Sequence, residues 1–130
     1  MKEIYLDNNA TTKVDEATTA PDQIRAWWAT NPDYNIGLAT GHTFDVIDFD
    51  GPEGIALGYT RPELWPEIIG KVCTPRPGGN HWYVAPTGRG NRAGMLPHVD
   101  YRGKGGYVVA PPSRTDVGEY VWLMPLRAAS

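Results

Sequence analysis

Cysteine is all but absent from this sequence: Cys73 stands alone among 130 residues. With no second thiol there is no internal disulfide to make, so burial and hydrogen bonding must hold the fold. Long apolar runs are missing too. No stretch approaches the ~18 residues that a membrane-spanning helix requires, and the first residues, MKEIYLDNNATTK, have no apolar signal core. The expectation is a cytoplasmic protein without membrane contact. Nor is there an excess of basic charge. The 12 Lys and Arg are outnumbered by 15 Asp and Glu, a net charge of -3, which taken over the whole chain argues against a nucleic-acid partner.

What is plentiful is punctuation. With 15 glycines and 12 prolines, the chain must be broken into short elements joined by turns. A chain of this length, 41% hydrophobic and 21% charged, is a globular domain with one core. Its charges are also unevenly spread. Between Lys71 and Lys104 the basic residues Lys71, Arg76, Arg89, Arg92, Arg102 and Lys104 face a single acid, Asp100. Such a cluster is either a solvated loop face or a surface for phosphates.

The clearest helix is PDQIRAWWATNP, with Pro21 in its first turn, Ile24, Trp27 and Trp28 at i, i+3, i+4 spacing, and Asn31-Pro32 ending it. The spacing predicts that both tryptophans face the core; base stacking is the alternative. NIGLATG (35–41) and HTFDVIDFD (42–50) read as strands that can pair as a hairpin. RPELWPEIIG (61–70) reads as a short helix made irregular by Pro66. NHWYVA (80–85) alternates as a half-buried strand does, and the polar PTGRGNRAG that follows reads as a mobile loop. LPHVDY, GGYVVAPPS and EYVWLM supply further strands. The sum is a mixed α/β or α+β sheet domain.

The run FDVIDFDGPEG carries three acids, Asp45, Asp48 and Asp50, in what otherwise reads as a buried strand. Strand alternation puts Asp48 and Asp50 on one face and Ile47 and Phe49 on the other. Their Cβ atoms are then roughly 6–7 Å apart at about 3.3 Å rise per residue, close enough to share a metal. Turn capping is the alternative. An EF-hand is excluded, because Val46 stands where an oxygen ligand is required. His81 follows Gly78-Gly79, where bare backbone can approach a phosphate. Asp100 is either paired with Arg102 or Lys104 or is a third ligand, and spacing leaves that open.

Taken in order, VIDFDG, PGGNHWYV and HVDYRGKGGYVVAPPS resemble the motifs of the bifunctional DNA primase/polymerase (prim-pol) domain of the archaeo-eukaryotic primase superfamily, found in plasmids, phages and integrated elements. The resemblance runs from about Glu16 to Leu126. ATTAPDQIRAWWATNPDYNIGLATG matches the family's opening segment and DYRGKGGYVVAPPS its closing one. It implies an RRM-like palm sheet with flanking helices, on which Asp48, Asp50 and Asp100 are catalytic and bind Mg2+ or Mn2+. His81 falls on the nucleotide-binding histidine, with Gly78, Gly79 and Arg76 beside it. Arg89, Arg92, Arg102 and Lys104 become candidates for nucleic-acid phosphates. The implied activity is DNA priming and polymerisation: nucleotidyl transfer from nucleoside triphosphates to a 3′-hydroxyl on a DNA template in replication, in partnership with a replicative helicase.

Ahead of this match, residues 1–16 resemble the opening of a NifS-type cysteine desulfurase, YLDNNATT. The family's usual first strand and helix, with a Gly-Trp and a proline-rich stretch, are missing. The expected organisation is therefore a foreign segment, 1–16, joined to a partial prim-pol catalytic domain, 17–130, with its N-terminal unit truncated. "EIYL" is expected at most to form a makeshift edge strand. Pro77 stands where many relatives have serine, and Ala20 where many have a capping aspartate, leaving Thr19 as the expected cap. A non-catalytic fragment that binds nucleotide or single-stranded DNA is the alternative function. A metal-dependent nuclease is a third, disfavoured by the glycine turn before His81.

Overall fold

The computed structural model describes residues 4–7 and 17–130. Its centre is a six-stranded sheet built from β3 (Asp45–Phe49), β4 (Ile68–Cys73), β5 (Asn80–Val84), β6 (Arg92–Leu96), β7 (Val99–Arg102) and β11 (Val121–Met124), in the order β11-β4-β5-β3-β7-β6. All neighbours in it run antiparallel. A three-stranded sheet joins β1 (Ile4–Asp7), β2 (Asn35–Ala39) and β8 (Tyr107–Ala110) in the order β1-β2-β8. The described residues also form two α-helices, α1 (Pro21–Thr30) and α2 (Pro52–Thr60), and a small hairpin of β9 (Arg114–Thr115) and β10 (Gly118–Glu119). This is an α+β arrangement, and none of the described helices is long and apolar enough to cross a membrane.

Alternation along β3 and β5 sorts their side chains onto two faces. Val46 and Tyr83 face one way, where they pack with Phe44, Ile69, Val72 and Val108 and meet Leu38 of the smaller sheet. Ile47, Phe49, Trp82 and Val84 face the other, where Val99 and Tyr101 join them under Ile55 and Leu57 of α2. The core therefore has a layer on each side of the large sheet, and truncating a fully buried ring such as Phe49 or Trp82 should cost about 3–5 kcal/mol.

Helix α2 is an element the sequence pattern did not reveal. Gly54 and Gly58 interrupt it, and each costs a helix about 1 kcal/mol relative to alanine. Both are needed for close approach: a Cβ on Gly58 would lie 2.7 Å from the Trp82 ring, and one on Gly54 would lie 2.6 Å from the His98 carbonyl oxygen. Glycine thus lowers the helix onto the sheet at the expense of its own propensity.

Several expectations change with the topology. β2 and β3 do not form a hairpin; β2 pairs with β1 and β8, and β3 lies between β5 and β7. The expected helix at 61–70 is a single 3-10 turn, Pro62–Leu64, after which the chain enters β4. Pro66 lies between the two, where it interrupts neither set of bonds. Trp27 and Trp28 of α1, which lies against β1, are only half-buried; Trp28 donates its indole N–H to the Tyr34 carbonyl at 2.7 Å. Thr19 does not cap α1. The N-cap is Ala20, without a side-chain bond to the helix, and its own N–H is taken by Thr18 Oγ1 at 3.0 Å. Ile4–Asp7, which includes the IYL of that segment, does form an edge strand: β1 pairs with β2 in the register Ile4↔Leu38 to Asp7↔Asn35. The rest of the N-terminal segment lies outside the described residues.

Candidate active site

Register decides which polar side chains meet. Asp48 of β3 stands directly opposite His81 of β5 on one side and directly opposite Asp100 of β7 on the other. Residues opposite each other in a sheet project from the same face, so His81, Asp48 and Asp100 form one row across three adjacent strands. Asp50 follows β3 two residues beyond Asp48, and its N–H is fixed by the His98 carbonyl at 2.8 Å. The tight turn between β4 and β5 closes the near side: Thr74 N–H bonds Gly79 O at 3.2 Å and Gly79 N–H bonds Arg76 O at 2.9 Å. Asp48, Asp50, Asp100, His81, Arg76 and Gly79 line one cleft of about 360 Å³, within the range of about 300–1,000 Å³ typical of small-ligand sites.

The glycines of the turn have a steric role. Gly78 sits at φ 73°, in the left-handed region, with Pro52 against the position of a Cβ, and a Cβ on Gly79 would strike Thr74 Oγ1. The N–H of Gly79 is engaged by Arg76, so this residue shapes the turn that holds Arg76 over the cleft.

Two carboxylates directly opposite each other repel, which destabilises a sheet unless a cation intervenes. Arg102, half-buried on the same face, sits between them, its guanidinium 3.5 Å from Asp100 Oδ2 and 3.9 Å from Asp48 Oδ2. His81 Nε2 lies 3.4 Å from Asp48 Oδ1, and Gly94 N–H bonds Asp100 Oδ1 at 2.6 Å. Arg76 pairs with Asp50 across the cleft. Burial pushes the Asp48 carboxyl upward, but the hydrogen bond and charge of His81, followed by Arg102 and Arg76, outweigh it, and its pKa lies below 3.8. Asp48 is therefore a carboxylate at neutral pH. His81 is itself buried, and its Nδ1 has no partner.

Among the described residues no three His, Cys, Asp or Glu side chains are gathered as a ready metal-binding group; each aspartate of the cleft is turned to a cation or a backbone N–H. The donor set nonetheless suits a hard divalent cation. It consists of carboxylate oxygens alone, the kind that Mg2+ and Mn2+ favour.

The basic residues divide. Arg76 and Arg102 reach the aspartates, whereas Arg89 and Arg92 do not line the cleft. Arg92 stands opposite Tyr101 in register, on the α2 side of the sheet, and Arg89 lies with its guanidinium 5.5 Å from the Tyr101 ring centre. Lys104 is exposed beyond β7, its N–H bonded to Arg89 O at 2.9 Å. Of the basic candidates, Arg76 lines the cleft, while Arg89, Arg92 and Lys104 lie outside its lining. The segment after β5 is also tied down: Asp45 Oδ2 accepts from Thr87 N–H at 3.0 Å and Thr87 Oγ1 at 3.1 Å, and Asn91 Oδ1 accepts from Gly103 N–H at 3.0 Å.

The family model for the bifunctional DNA primase/polymerase N-terminal domain, Prim-Pol, matches residues 7–130. The chain belongs to this family. No curated protein matches it. Membership in Prim-Pol carries a primase/polymerase-related, nucleotidyltransferase-related role and a general expectation of DNA and nucleotide binding. Thr74, Thr115, Val117 and Tyr120 also line the cleft of this Prim-Pol domain and escaped the sequence reading. For Thr115, Val117 and Tyr120 the signal is topological: the β9-β10 hairpin is brought there by the pairing of β11 with β4 and by bonds to Asn35 and Ile36 of β2.

Proposed function

We propose that this Prim-Pol domain catalyses divalent-metal-dependent nucleotidyl transfer from nucleoside triphosphates to a 3′-hydroxyl in DNA replication, on a sheet that serves as an RRM-like palm. The observation that carries the reading is the row of His81, Asp48 and Asp100, with Asp50 and Arg76 facing the same cleft. Asp48, Asp50 and Asp100 would hold Mg2+ or Mn2+, which when bound stabilises charge on the attacking and leaving oxygens.

The chain's own residues supply the rest. His81 Nε2 steadies Asp48 Oδ1 and keeps that carboxylate ionised. Arg76, exposed at the mouth of the cleft, can leave Asp50 for a phosphate oxygen at little cost, since an exposed ion pair is weak. The Gly78-Gly79 turn sets its position. Arg102 holds Asp48 and Asp100 together and is near enough to take a nucleic-acid or nucleotide phosphate. Arg89, Arg92 and Lys104 offer a separate basic surface for template backbone, outside the cleft. A replicative helicase is the expected partner in replication.

The test is labelled-nucleotide incorporation on primed and unprimed single-stranded DNA with Mg2+ or Mn2+, wild type against Asp48→Ala. Incorporation that survives the substitution refutes the assignment. The second reading, a domain that binds nucleotide or single-stranded DNA without transfer, is favoured by one observation, the prior engagement of all three aspartates by Arg76, Arg102 and His81. DNA binding with no incorporation under either metal would establish it.

A further inference from the structure

The two walls of the cleft differ in chemistry. The turn after β4 presents Arg76 and Thr74. Packed against that turn, with Gly118 beside Pro75, stands the β9-β10 hairpin, which presents Val117 and, just past β10, Tyr120. Val117 is 72% exposed, at the tip of a hairpin whose other side chains include Arg114, Asp116 and Glu119. Tyr120 lies with its ring centre 6.0 Å from that of His81, at the point where the main cleft passes into a second one of about 210 Å³ lined also by Asp48, Arg102 and Tyr107.

The hairpin is a braced element. The Asn35 side chain bonds Arg114 at both its carbonyl, 2.9 Å, and its N–H, 3.1 Å; Ser113 Oγ accepts from Ile36 N–H at 2.7 Å; and Tyr120 N–H returns to Ser113 O at 2.9 Å. Arg114 and Glu119 pair across it at 2.9 Å. An apolar and aromatic surface is thereby held beside a cationic one, with Gly118 against Pro75 of the turn that carries Arg76, and both line the cleft of the aspartates. A nucleoside triphosphate has the same division: an anionic tail that suits Arg76, and a flat, largely apolar base and sugar that suit a valine and a tyrosine ring.

Resting on the nucleotidyl-transfer reading, we propose that the β9-β10 hairpin is the nucleoside-binding wall of the site, and that Val117 and Tyr120 contact the base or sugar of the incoming nucleotide and set nucleotide selectivity. Neither residue touches the triphosphate. The hairpin should therefore govern affinity for whole nucleotides and leave affinity for the phosphate tail alone unchanged.

The experiment compares binding of a nucleoside triphosphate and of inorganic tripolyphosphate, each with saturating Mn2+ and no DNA, to wild type, Val117→Ser, Tyr120→Ala and Arg76→Ala. Val117→Ser lies at an exposed tip and tests the idea even if Tyr120→Ala fails to fold. The expected result is a reduction of nucleotide affinity of about fivefold to tenfold in each hairpin variant, the equivalent of one apolar side chain withdrawn from the ligand, with tripolyphosphate binding unchanged, while Arg76→Ala weakens both. Hairpin variants that weaken both ligands equally, or neither, overturn the proposal. So does unchanged nucleotide binding with weakened binding of primed DNA, which would turn the hairpin toward the DNA. Wild type that binds neither ligand would bring down the nucleotidyl-transfer reading itself, a result distinct from normal binding that the hairpin does not influence.

Discussion

Replacing Asp45 should damage the fold far more than replacing its neighbours Asp48 or Asp50, although all three acids lie within one short run. Asp45 is fully buried on the α2 side of the large sheet. Its Oδ2 accepts from the Tyr101 hydroxyl and from both the N–H and the hydroxyl of Thr87, while Oδ1 has no partner. A hydrogen bond to a charged group contributes about 1.5–3 kcal/mol, and a buried donor stripped of its acceptor costs about 1–3 kcal/mol. Against this, removing the unpartnered Oδ1 recovers part of its desolvation penalty. Asp45→Ala should then lose about 3–5 kcal/mol. Asp45→Asn keeps an acceptor toward Tyr101 and Thr87 and places its NH2 where Oδ1 now lies, so it should lose only about 1–1.5 kcal/mol. Urea denaturation measures both, with the midpoint shifting at unchanged slope. An alanine variant that loses less than about 1 kcal/mol, or an asparagine variant that loses as much as alanine, would refute the network as the reason for this acid. Because Asp45 does not line the cleft, folded Asp45→Asn should retain metal-dependent incorporation.

Asp48→Ala should abolish incorporation while single-stranded DNA binding stays within about twofold, since phosphate contacts and not the aspartates carry that affinity; gel-shift and incorporation assays run side by side check it. Arg89→Glu with Arg92→Glu should weaken single-stranded DNA binding and flatten its salt dependence, by about 0.7 in log–log slope for each phosphate no longer neutralised, yet leave nucleotide binding alone because neither residue lines the cleft. Asp48 has a folded pKa below 3.8, so its contribution to stability is present above the unfolded value and is lost as pH falls through the lower folded one; the stability gap between wild type and Asp48→Asn should narrow under acid, and a gap that widens below pH 3.8 would contradict the pairing with His81 and Arg102. Tyr101 behaves in the opposite sense: burial and then the bond to Asp45 push it up to about 12, so its contribution holds below the unfolded value and disappears as pH rises through about 12, which ultraviolet titration of tyrosinate should detect.

Strand alternation could be read from the sequence, and it paired Asp48 with Asp50 correctly. The same parity sends Asp45 to the opposite face, where Ile47 and Phe49 also point, so a run of three acids divides into a structural one and two that reach the cleft. The helix over 21–30 was legible because Pro21 and the i, i+3, i+4 apolar residues agree. α2 was not, because its glycines answer to Trp82 and His98, which lie far along the chain. Local pattern carries propensity; it does not carry the close approach of a helix to a sheet that has yet to form.

Which strands become neighbours was equally hidden, and this determines the site. A hairpin of β2 with β3 would have given Asp48 a neighbour from β2, whereas β3 between β5 and β7 places it between His81 and Asp100. One step of register in β7 would bring Tyr101 opposite Asp48 and turn Asp100 into the α2 layer, exchanging a buried aromatic for a buried carboxylate. That exchange is costly on both counts: Tyr101 would lose its place among Ile47, Phe49 and Trp82, and an unpaired carboxylate would enter an apolar layer. The apolar alternation of Val99 and Tyr101 therefore fixes the position of Asp100, and hydrophobic burial on one face of the sheet holds two like charges opposite each other on the other face. Arg102, two residues on and of the same parity as Asp100, arrives beside them by the same alternation. The cation that makes the arrangement tolerable is thus supplied by the strand that creates the repulsion.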